Sequence, residues 1–241
     1  MEIIKLDLGG NSYRFEAPLN FILDPANSYL IVSEQGNAAI VEAPDHADKI
    51  LAELQSRNLT LKHILLTHEH FEHFFVTDEL VRSTGAEVVI HKSAAPLLTD
   101  SARNAIKFIG ALDYTPYSGA LHTVEDGDVI TLDELTIKVL HIPGHSDGSV
   151  AYIVRDALFS GDVLSHNAVG HYPKGAGAEM LRSLEKLAAL PGNYNVYPGH
   201  WSATTLEHER ANNLATLPLV LQAATVDLTD TTVGFDFSAN E

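Results

Sequence analysis

The feature that most constrains this chain is the stretch Thr-His-Glu-His-Phe-Glu-His from Thr67 to His73. It follows the apolar residues 64–66 directly, a pattern typical of a buried strand that ends in a polar loop. Side chains at such a strand end can converge, and neutral imidazole with carboxylate binds zinc or iron. The alternative is a chance cluster of histidines on a solvent-exposed turn. If the cluster is buried, its polar groups would cost much free energy without a metal to bind them. The stretch therefore predicts a metal site.

Composition and charge narrow the chemistry further. The 241 residues include thirteen histidines and no cysteine, which excludes disulfides, thiolate ligands and a cysteine nucleophile. The formal net charge of −17 argues against a nucleic-acid partner, because phosphates would be repelled. The N-terminus lacks a basic segment followed by a long apolar one, and no apolar run is long enough to cross a membrane. We expect a cytoplasmic enzyme without membrane contact; homo-oligomerisation stays open.

Apolar patterning predicts two successive series of strands and helices, and no repeat or linker divides the chain. The predicted helices cover residues 46–56, with Asp45 as N-cap, and residues 74–83, 102–111, 178–190 and 206–214. Strands are predicted around them, including residues 13–16 near the N-terminus. Residues 232–237 near the C-terminus are interpreted as either an edge strand or a partner contact. This order suits two sheets packed face to face with helices outside, in a single domain over residues 1–241 with a short C-terminal extension from about residue 214.

Three later motifs each follow a predicted strand. His145 and His200 both come after a Pro-Gly pair, and Asp162 ends the apolar strand that contains Phe159. The glycines allow the backbone to bend sharply and bring the next side chain to the sheet edge. A carboxylate at Asp162 could bridge two metals.

The ordered motifs resemble those of the metallo-β-lactamase superfamily, and within it the hydroxyacylglutathione hydrolase (glyoxalase II)-like enzymes. The family pattern Thr-His-x-His-x-Asp-His is matched from Thr67 to His73 except at position 72. The remaining motifs correspond to residues 141–149, 159–162 and 197–200, and the resemblance covers roughly residues 27–213. It implies an α/β fold, a four-layer αβ/βα sandwich of two mixed β-sheets flanked by helices.

The resemblance also implies two divalent metal ions, zinc in the first place with iron or manganese as alternatives. The implied ligands of the first ion are His68, His70 and His145. Those of the second are Glu72, His73 and His200, and Asp162 would bridge the two. A metal-bound hydroxide would attack a carbonyl, with Glu72 and Asp162 in catalytic roles.

Two departures from the family pattern concern the implied metal site. Glu72 stands where the family has Asp, so either the second site is retuned or the enzyme works with one metal. Ala43, Pro44 and Asp45 stand where the family usually has Asp-Pro-Gly, which removes a carboxylate that supports the metal-site loop. Glu42 could replace it only if the strand slipped, and the two-residue alternation of strands argues against that.

Substrate contacts are less well defined. His166, His171, Tyr172 and Lys174 lie in a loop that differs from the relatives and are candidates, a solvated loop being the alternative. The remaining histidines are interpreted as surface or satisfied core residues: His46, His63, His91, His122 and His208. His141 could support the ligand turn or serve a purely structural role.

The resulting functional prediction is a metal-dependent hydrolase of a small-molecule thioester or ester. A lactonase is the near alternative, since it differs only in the leaving group. A persulfide dioxygenase with one iron, and a catalytically degenerate member that only binds a ligand or partner, also stay open.

Overall fold

The structure, a computed structural model, describes residues 1–9, 25–106 and 115–214 of the chain. The strands in this part are β1 (Glu2–Lys5), β2 (Tyr29–Val32), β3 (Asn37–Val41), β4 (Thr60–Leu65), β5 (Glu87–His91), β6 (Leu121–Val124), β7 (Val129–Leu132), β8 (Leu135–His141), β9 (Val150–Val154), β10 (Ala157–Gly161), β11 (Leu164–Ser165), β12 (Ala168–Val169), β13 (Asn195–Pro198) and β14 (Thr204–Thr205). The α-helices are α1 (Ala47–Ser56), α2 (Thr77–Thr84), α3 (Gly177–Ala188) and α4 (Leu206–Glu209). Short 3₁₀ segments cover Phe71–His73 and Ala95–Thr99, and a π-helical turn covers Arg210–Leu214.

Two six-stranded mixed sheets form the centre of the fold. The first has the order β1-β2-β3-β4-β5-β6 and the second the order β14-β13-β10-β9-β8-β7. Helices α1 and α2 pack on the outer face of the first sheet, and α3 and α4 on that of the second. A third apolar cluster fills the space between the sheets. The predicted four-layer αβ/βα sandwich is therefore confirmed.

The alternation along β2 shows how the apolar runs are used. Tyr29 and Ile31 face the second sheet, whereas Leu30 and Val32 face the helices. Because both faces of this sheet are covered, its inner strands read as continuous apolar runs rather than as alternating ones.

Two buried tyrosines link the sheets close to the metal-ligand motifs. The hydroxyl of Tyr29, in the first sheet, donates to the carbonyl of Pro198 over 2.8 Å. The hydroxyl of Tyr152, in the second sheet, donates to the carbonyl of Leu66 over 2.9 Å. Since Leu66 and Pro198 each lie two residues before a histidine of the motifs, these hydrogen bonds fix both loops across the core.

The predicted starts of α1 and α2 are wrong in detail. His46, not Asp45, is the N-cap of α1; it has a left-handed backbone with φ 54° and makes no side-chain capping bond. Asp45 instead accepts a hydrogen bond from the His46 amide over 2.7 Å. Helix α2 begins at Thr77 rather than at residue 74, because the 3₁₀ turn Phe71–His73 occupies the preceding chain.

The helix predicted over residues 102–111 does not form in residues 102–105, which are turns and bends. There the side-chain amide of Asn104 donates to the carbonyl of Leu98 over 2.7 Å, and the main-chain carbonyl of Asn104 accepts from the amide of Phe71. The rest of that prediction, the strand predicted at residues 13–16 and the segment 232–237 lie outside the described residues. The single-domain assignment and the extension from about residue 214 stay predictions. Among the described helices, none has the length and apolar character needed to cross a membrane.

His91 is a buried core residue that stacks on His141, with ring centroids 4.0 Å apart and an interplanar angle of 12°. It is 3 % exposed, and its Nδ1 accepts a hydrogen bond from the Ser93 amide. Burial, with the nearby His141 ring adding to it, lowers the pKa of His91 to about 4. The imidazole is therefore held in its neutral form.

This depressed pKa predicts a loss of stability in acid. Unfolded His91 takes up a proton near pH 6.5 that folded His91 refuses until about pH 4, so unfolding becomes easier as pH falls through that range. We expect His91→Phe to reduce the change in the free energy of unfolding over this pH range by about 1–3 kcal/mol, measured by urea titration of the metal-free protein. His122→Phe, at an exposed histidine, is the control. Parallel pH profiles for all three proteins would contradict the assignment.

Candidate metal centre

The predicted metal ligands all lie in loops or in the 3₁₀ turn Phe71–His73, at one shared edge of the two sheets. Parallel strands β3 and β4 of the first sheet, and β10 and β13 of the second, end at this edge. The loops are joined there by backbone hydrogen bonds, such as that from the Val150 amide to the Thr67 carbonyl. The side chains brought together in overlapping groups are His68, His70, Glu72, His73, His145, Asp162 and His200.

Three imidazoles form the first group. Nε2 of His68 lies 3.1 Å from Nδ1 of His70 and 3.3 Å from Nε2 of His145. Nδ1 of His70 and Nε2 of His145 are 3.0 Å apart. A tetrahedral zinc ion with bonds of about 2.0–2.1 Å places its ligands about 3.3 Å from one another. The three nitrogen atoms therefore already match one face of such a coordination sphere.

Hydrogen bonds on the outer ring nitrogens orient this group. Nδ1 of His145 donates to the carbonyl of His171 over 2.7 Å, and Nδ1 of His68 lies 3.0 Å from Oγ1 of Thr67. The carbonyl partner places the proton on the outer nitrogen of His145 and leaves the inner lone pair of that ring available for a metal. Burial, together with the neighbouring imidazoles, lowers the pKa of His68 and His70 well below the usual value. Both rings are therefore neutral, the form in which imidazole binds a metal.

Asp162 lies between the two groups. Its Oδ2 is 3.4 Å from Nε2 of both His73 and His200, and 3.8 Å from Nε2 of His145. Glu72 completes the second group, whose ligand atoms all lie within 4.8 Å of one another. This placement is the one expected of a bridging carboxylate.

Several buried polar atoms at the centre have no hydrogen-bond partner within the described residues. They are Oε2 of Glu72, Nε2 of His73, Oδ1 of Asp162 and Nε2 of His200. An unsatisfied buried polar atom costs about 1–3 kcal/mol, and more if it is charged. Divalent cations that accept nitrogen and oxygen ligands would satisfy all four. The residues present thus fit a metal centre.

The ionisation of the second group follows from its charge pairing. Burial alone would raise the pKa of Asp162, but the imidazoles of His200 and His73 outweigh it and hold that pKa well below its usual range. Burial lowers the pKa of His73, but Asp162 and Glu42 outweigh it and raise that pKa well above its usual value. Burial raises the pKa of Glu72. The carboxylates here require a positive partner.

Glu42 supplies the supporting carboxylate that we expected to be missing. It is 1 % exposed; its Oε1 accepts from the Thr67 amide over 2.8 Å, and its Oε2 lies 3.3 Å from Nδ1 of His73. The expectation based on Ala43 is therefore wrong. Side chains alternate only within a strand, β3 ends at Val41, and Glu42 has a left-handed backbone with φ 66° that turns its side chain inward.

Glu69 is a second supporting residue that the sequence did not identify. Its buried Oε2 accepts a hydrogen bond from Oγ of Ser146 over 2.8 Å, and Ser146 also contacts Ser149. Burial raises the pKa of Glu69. This bond ties the turn that carries His145 to the loop that carries His68. Nothing in the spacing of Glu69 distinguishes it from a solvated residue.

The two Pro-Gly turns use their glycines differently. Gly144 has φ 139°, and an added Cβ would lie 2.5 Å from Cα of Met180. At Gly199 an added Cβ would overlap Oδ1 of Asp162 and lie 2.9 Å from Cε1 of His73. The first glycine thus serves both a bend and close packing, whereas the second allows the backbone to approach the ligands.

The predicted substrate contacts are spread over different environments. His171 lies beside the ligands through its carbonyl, Tyr172 packs against the apolar cluster under α3, and Lys174 is exposed. Trp201, which we did not predict, follows His200 and is 53 % exposed. Its φ is 64°, and its carbonyl accepts hydrogen bonds from Asn27 and Lys5. In the sequence, the signal that could have drawn attention to Trp201 was its position directly after His200.

Comparisons with known proteins show what this chain is similar to. The family model described as the metallo-beta-lactamase superfamily matches residues 22–200. The hydroxyacylglutathione hydrolase GloC of Haemophilus influenzae is 27% identical over 192 residues, covering 78% of this chain and 91% of that protein. The probable metallo-hydrolase YqgX of Bacillus subtilis is 31% identical over 193 residues, a match that covers 78% of this chain and 90% of that protein.

The fold is also similar to that of a solved structure. The crystal structure of the protein TTHA1623, in a di-iron-bound form, has a TM-score of 0.69 and 31% sequence identity. The match covers 83% of this chain and 98% of that one.

The contact between Glu42 and His73 predicts a measurable effect on metal affinity. Glu42→Gln keeps the size of the side chain and an acceptor for the Thr67 amide, but removes the charge that faces Nδ1 of His73. We expect metal affinity to fall about 10–100-fold, measured by competition with a chromophoric chelator. Glu53→Gln, on the surface of α1, is the matched control. Unchanged affinity in Glu42→Gln would show that the carboxylate charge does not support the centre.

Proposed function

Because the chain belongs to the metallo-β-lactamase superfamily, we propose that it is a metal-dependent hydrolase which cleaves a small thioester or ester in the manner of glyoxalase II-like enzymes. The observation that carries this proposal is the convergence of two groups of imidazoles and carboxylates on Asp162. The relatives named as hydroxyacylglutathione hydrolases support the thioester class.

Divalent metals bound at these groups would polarise the substrate carbonyl and lower the pKa of the attacking water. The side chains of the protein divide the remaining work. Asp162, whose ionised form is stabilised by His73 and His200, holds both groups in register. Glu72, whose pKa is raised by burial, is suited to accept a proton and return it to the leaving group. Glu42 orients the imidazole of His73, and the carbonyl of His171 orients that of His145, each through the ring nitrogen Nδ1.

Zinc is the metal we propose, because five imidazoles with two carboxylates suit it. Iron is the alternative supported by a comparison, since TTHA1623 has been solved in a di-iron-bound form. The metal content of the protein as purified distinguishes the two.

The partner we propose is a small molecule rather than a macromolecule. The net charge of −17 disfavours nucleic acids and anionic membrane surfaces. The exposed ring of Trp201, 6.0 Å from that of His200 between centroids, offers an apolar surface for the substrate next to the centre.

A substrate panel tests the proposed function. We expect the zinc-loaded protein to hydrolyse a hydroxyacyl thioester of glutathione, to lose this activity on chelation and to regain it with added zinc. Lactones, β-lactams and a glutathione persulfide complete the panel. Sulfite formation with one iron per chain would identify a dioxygenase, and faster lactone than thioester turnover a lactonase. A fully loaded protein that turns over no carbonyl substrate would refute the hydrolase.

The length of the side chain at position 72 gives a sharper test. If Glu72 is a ligand and proton acceptor, Glu72→Asp should hold or raise thioester hydrolysis, because it keeps the carboxylate. Glu72→Ala should lower kcat by about 10²-fold or more. Metal content of each variant separates loss of a ligand from loss of the proton acceptor, and Glu79→Ala, in the first turn of α2, is the control. Unchanged kinetics in Glu72→Ala would remove this residue from the mechanism.

A further inference from the structure

A separate group of metal-ligating side chains lies on the outer side of the second sheet. It consists of His166, in the turn between β11 and β12, and of His208 and Glu209 in α4. One ligand atom from each of the three lies within 4.8 Å of the others, and the two imidazole rings have centroids 5.2 Å apart. None of these residues belongs to the centre around Asp162.

Glu209 is fully buried at 0 % exposure, and the hydrogen bonds it accepts come from neutral groups. Oγ1 of Thr204 donates to it over 2.7 Å, Nδ2 of Asn213 over 2.9 Å, and the amide of Asn167 over 3.1 Å. The Asn167 amide also lies 3.3 Å from the other oxygen, Oε1, so about four lone-pair positions of the carboxylate are engaged. An ion at Oε1 would replace this longest contact, because the same amide keeps its shorter bond to Oε2.

The negative charge of Glu209 has no close arginine or lysine among the described residues. The neighbouring Arg210 directs its guanidinium to the carbonyls of Ala188, Leu190 and Gly192 at the end of α3. The ion-pair contact recorded for Glu209 is with Nε2 of His208, at 3.9 Å. Fully buried carboxylates are rare unless a cation or a metal compensates them.

The geometry suits a divalent ion after a small closure. Zinc ligands lie about 3.3 Å from one another, compared with 3.9 Å between Nε2 of His208 and Oε1 of Glu209. His166 is exposed and can rotate toward the other two. Oδ1 of Asn167, 2.8 Å from Nε2 of His208, adds an oxygen to the same place. Two imidazoles with a carboxylate suit zinc, nickel and copper.

We propose that His166, His208 and Glu209 form a third metal site, which binds a zinc or similar transition-metal ion independently of the catalytic centre. The ion cross-links the β11–β12 hairpin to α4 and compensates the charge of Glu209. The chain that leaves this hairpin reaches His171, whose carbonyl orients His145. The third site therefore stabilises the segment that supports the catalytic ligands.

Metal stoichiometry tests this proposal. The unmodified protein, His166→Ala and His208→Ala are dialysed to equilibrium against the same excess of free zinc, and bound zinc per chain is measured by mass spectrometry. Both variants should hold one equivalent fewer than the unmodified protein. His122→Ala, at another exposed histidine, should hold the full number. Equal zinc in all four proteins would overturn the proposal.

Thermal denaturation gives a second measurement. Zinc in excess of that needed to fill the catalytic centre should raise the Tm of the unmodified protein and of His122→Ala further, because a ligand that binds the folded state stabilises it. This additional rise should disappear in His166→Ala, whose side chain is exposed and whose fold is therefore retained. If His208→Ala fails to fold by circular dichroism, His166→Ala decides the outcome. An undiminished rise in His166→Ala would refute the site.

Discussion

The pairing of buried carboxylates with imidazoles, at the edge that the two sheets share, is the interaction on which the rest of the structure depends. His73 lies at its middle, 3.3 Å from Glu42 on one side and 3.4 Å from Asp162 on the other. Neither carboxylate would be stable there alone, because a buried charge requires a partner. The left-handed backbone of Glu42, which costs about 1–3 kcal/mol, persists because this pairing and the bond to the Thr67 amide hold it.

Much of the centre could be predicted from the sequence because its ligands occur in local motifs. The first three histidines and Glu72 lie within six residues, and each later ligand follows a recognisable strand and turn. Glu42 could not be found in this way, since the alternation rule holds only while the chain remains a strand. Its backbone leaves the strand at that residue, and no residue type other than glycine or asparagine signals a left-handed conformation reliably. The start of α2 was misplaced for a similar reason, because a 3₁₀ turn and an α-helix share their apolar spacing over so few residues.

The group formed by His166, His208 and Glu209 could not be predicted from the sequence for a different reason. His166 and His208 are far apart in sequence, and each resembles an ordinary surface residue until the fold places them beside Glu209. The two sites also differ in preorganisation. The inner nitrogens are already 3.0–3.3 Å apart and buried, whereas the outer group includes an exposed side chain and a separation of 3.9 Å. Preorganised ligands bind more tightly because less conformational freedom is lost on binding, so the inner centre is the one expected to hold its ions through purification.

The reciprocal hydrogen bonds of Tyr29 and Tyr152 have a consequence for the biosynthesis of the protein. They join loops from opposite sheets, so His68 and His200 come into reach of one another only when both halves of the sandwich have docked. During synthesis the ribosome releases His68 long before His200, and the emerging chain carries an incomplete set of ligands. The complete set of ligands is therefore assembled at the end of folding rather than at its start. An ion that requires all of these ligands stabilises only the folded protein. Small zinc domains differ, because their folding depends on the metal from the start.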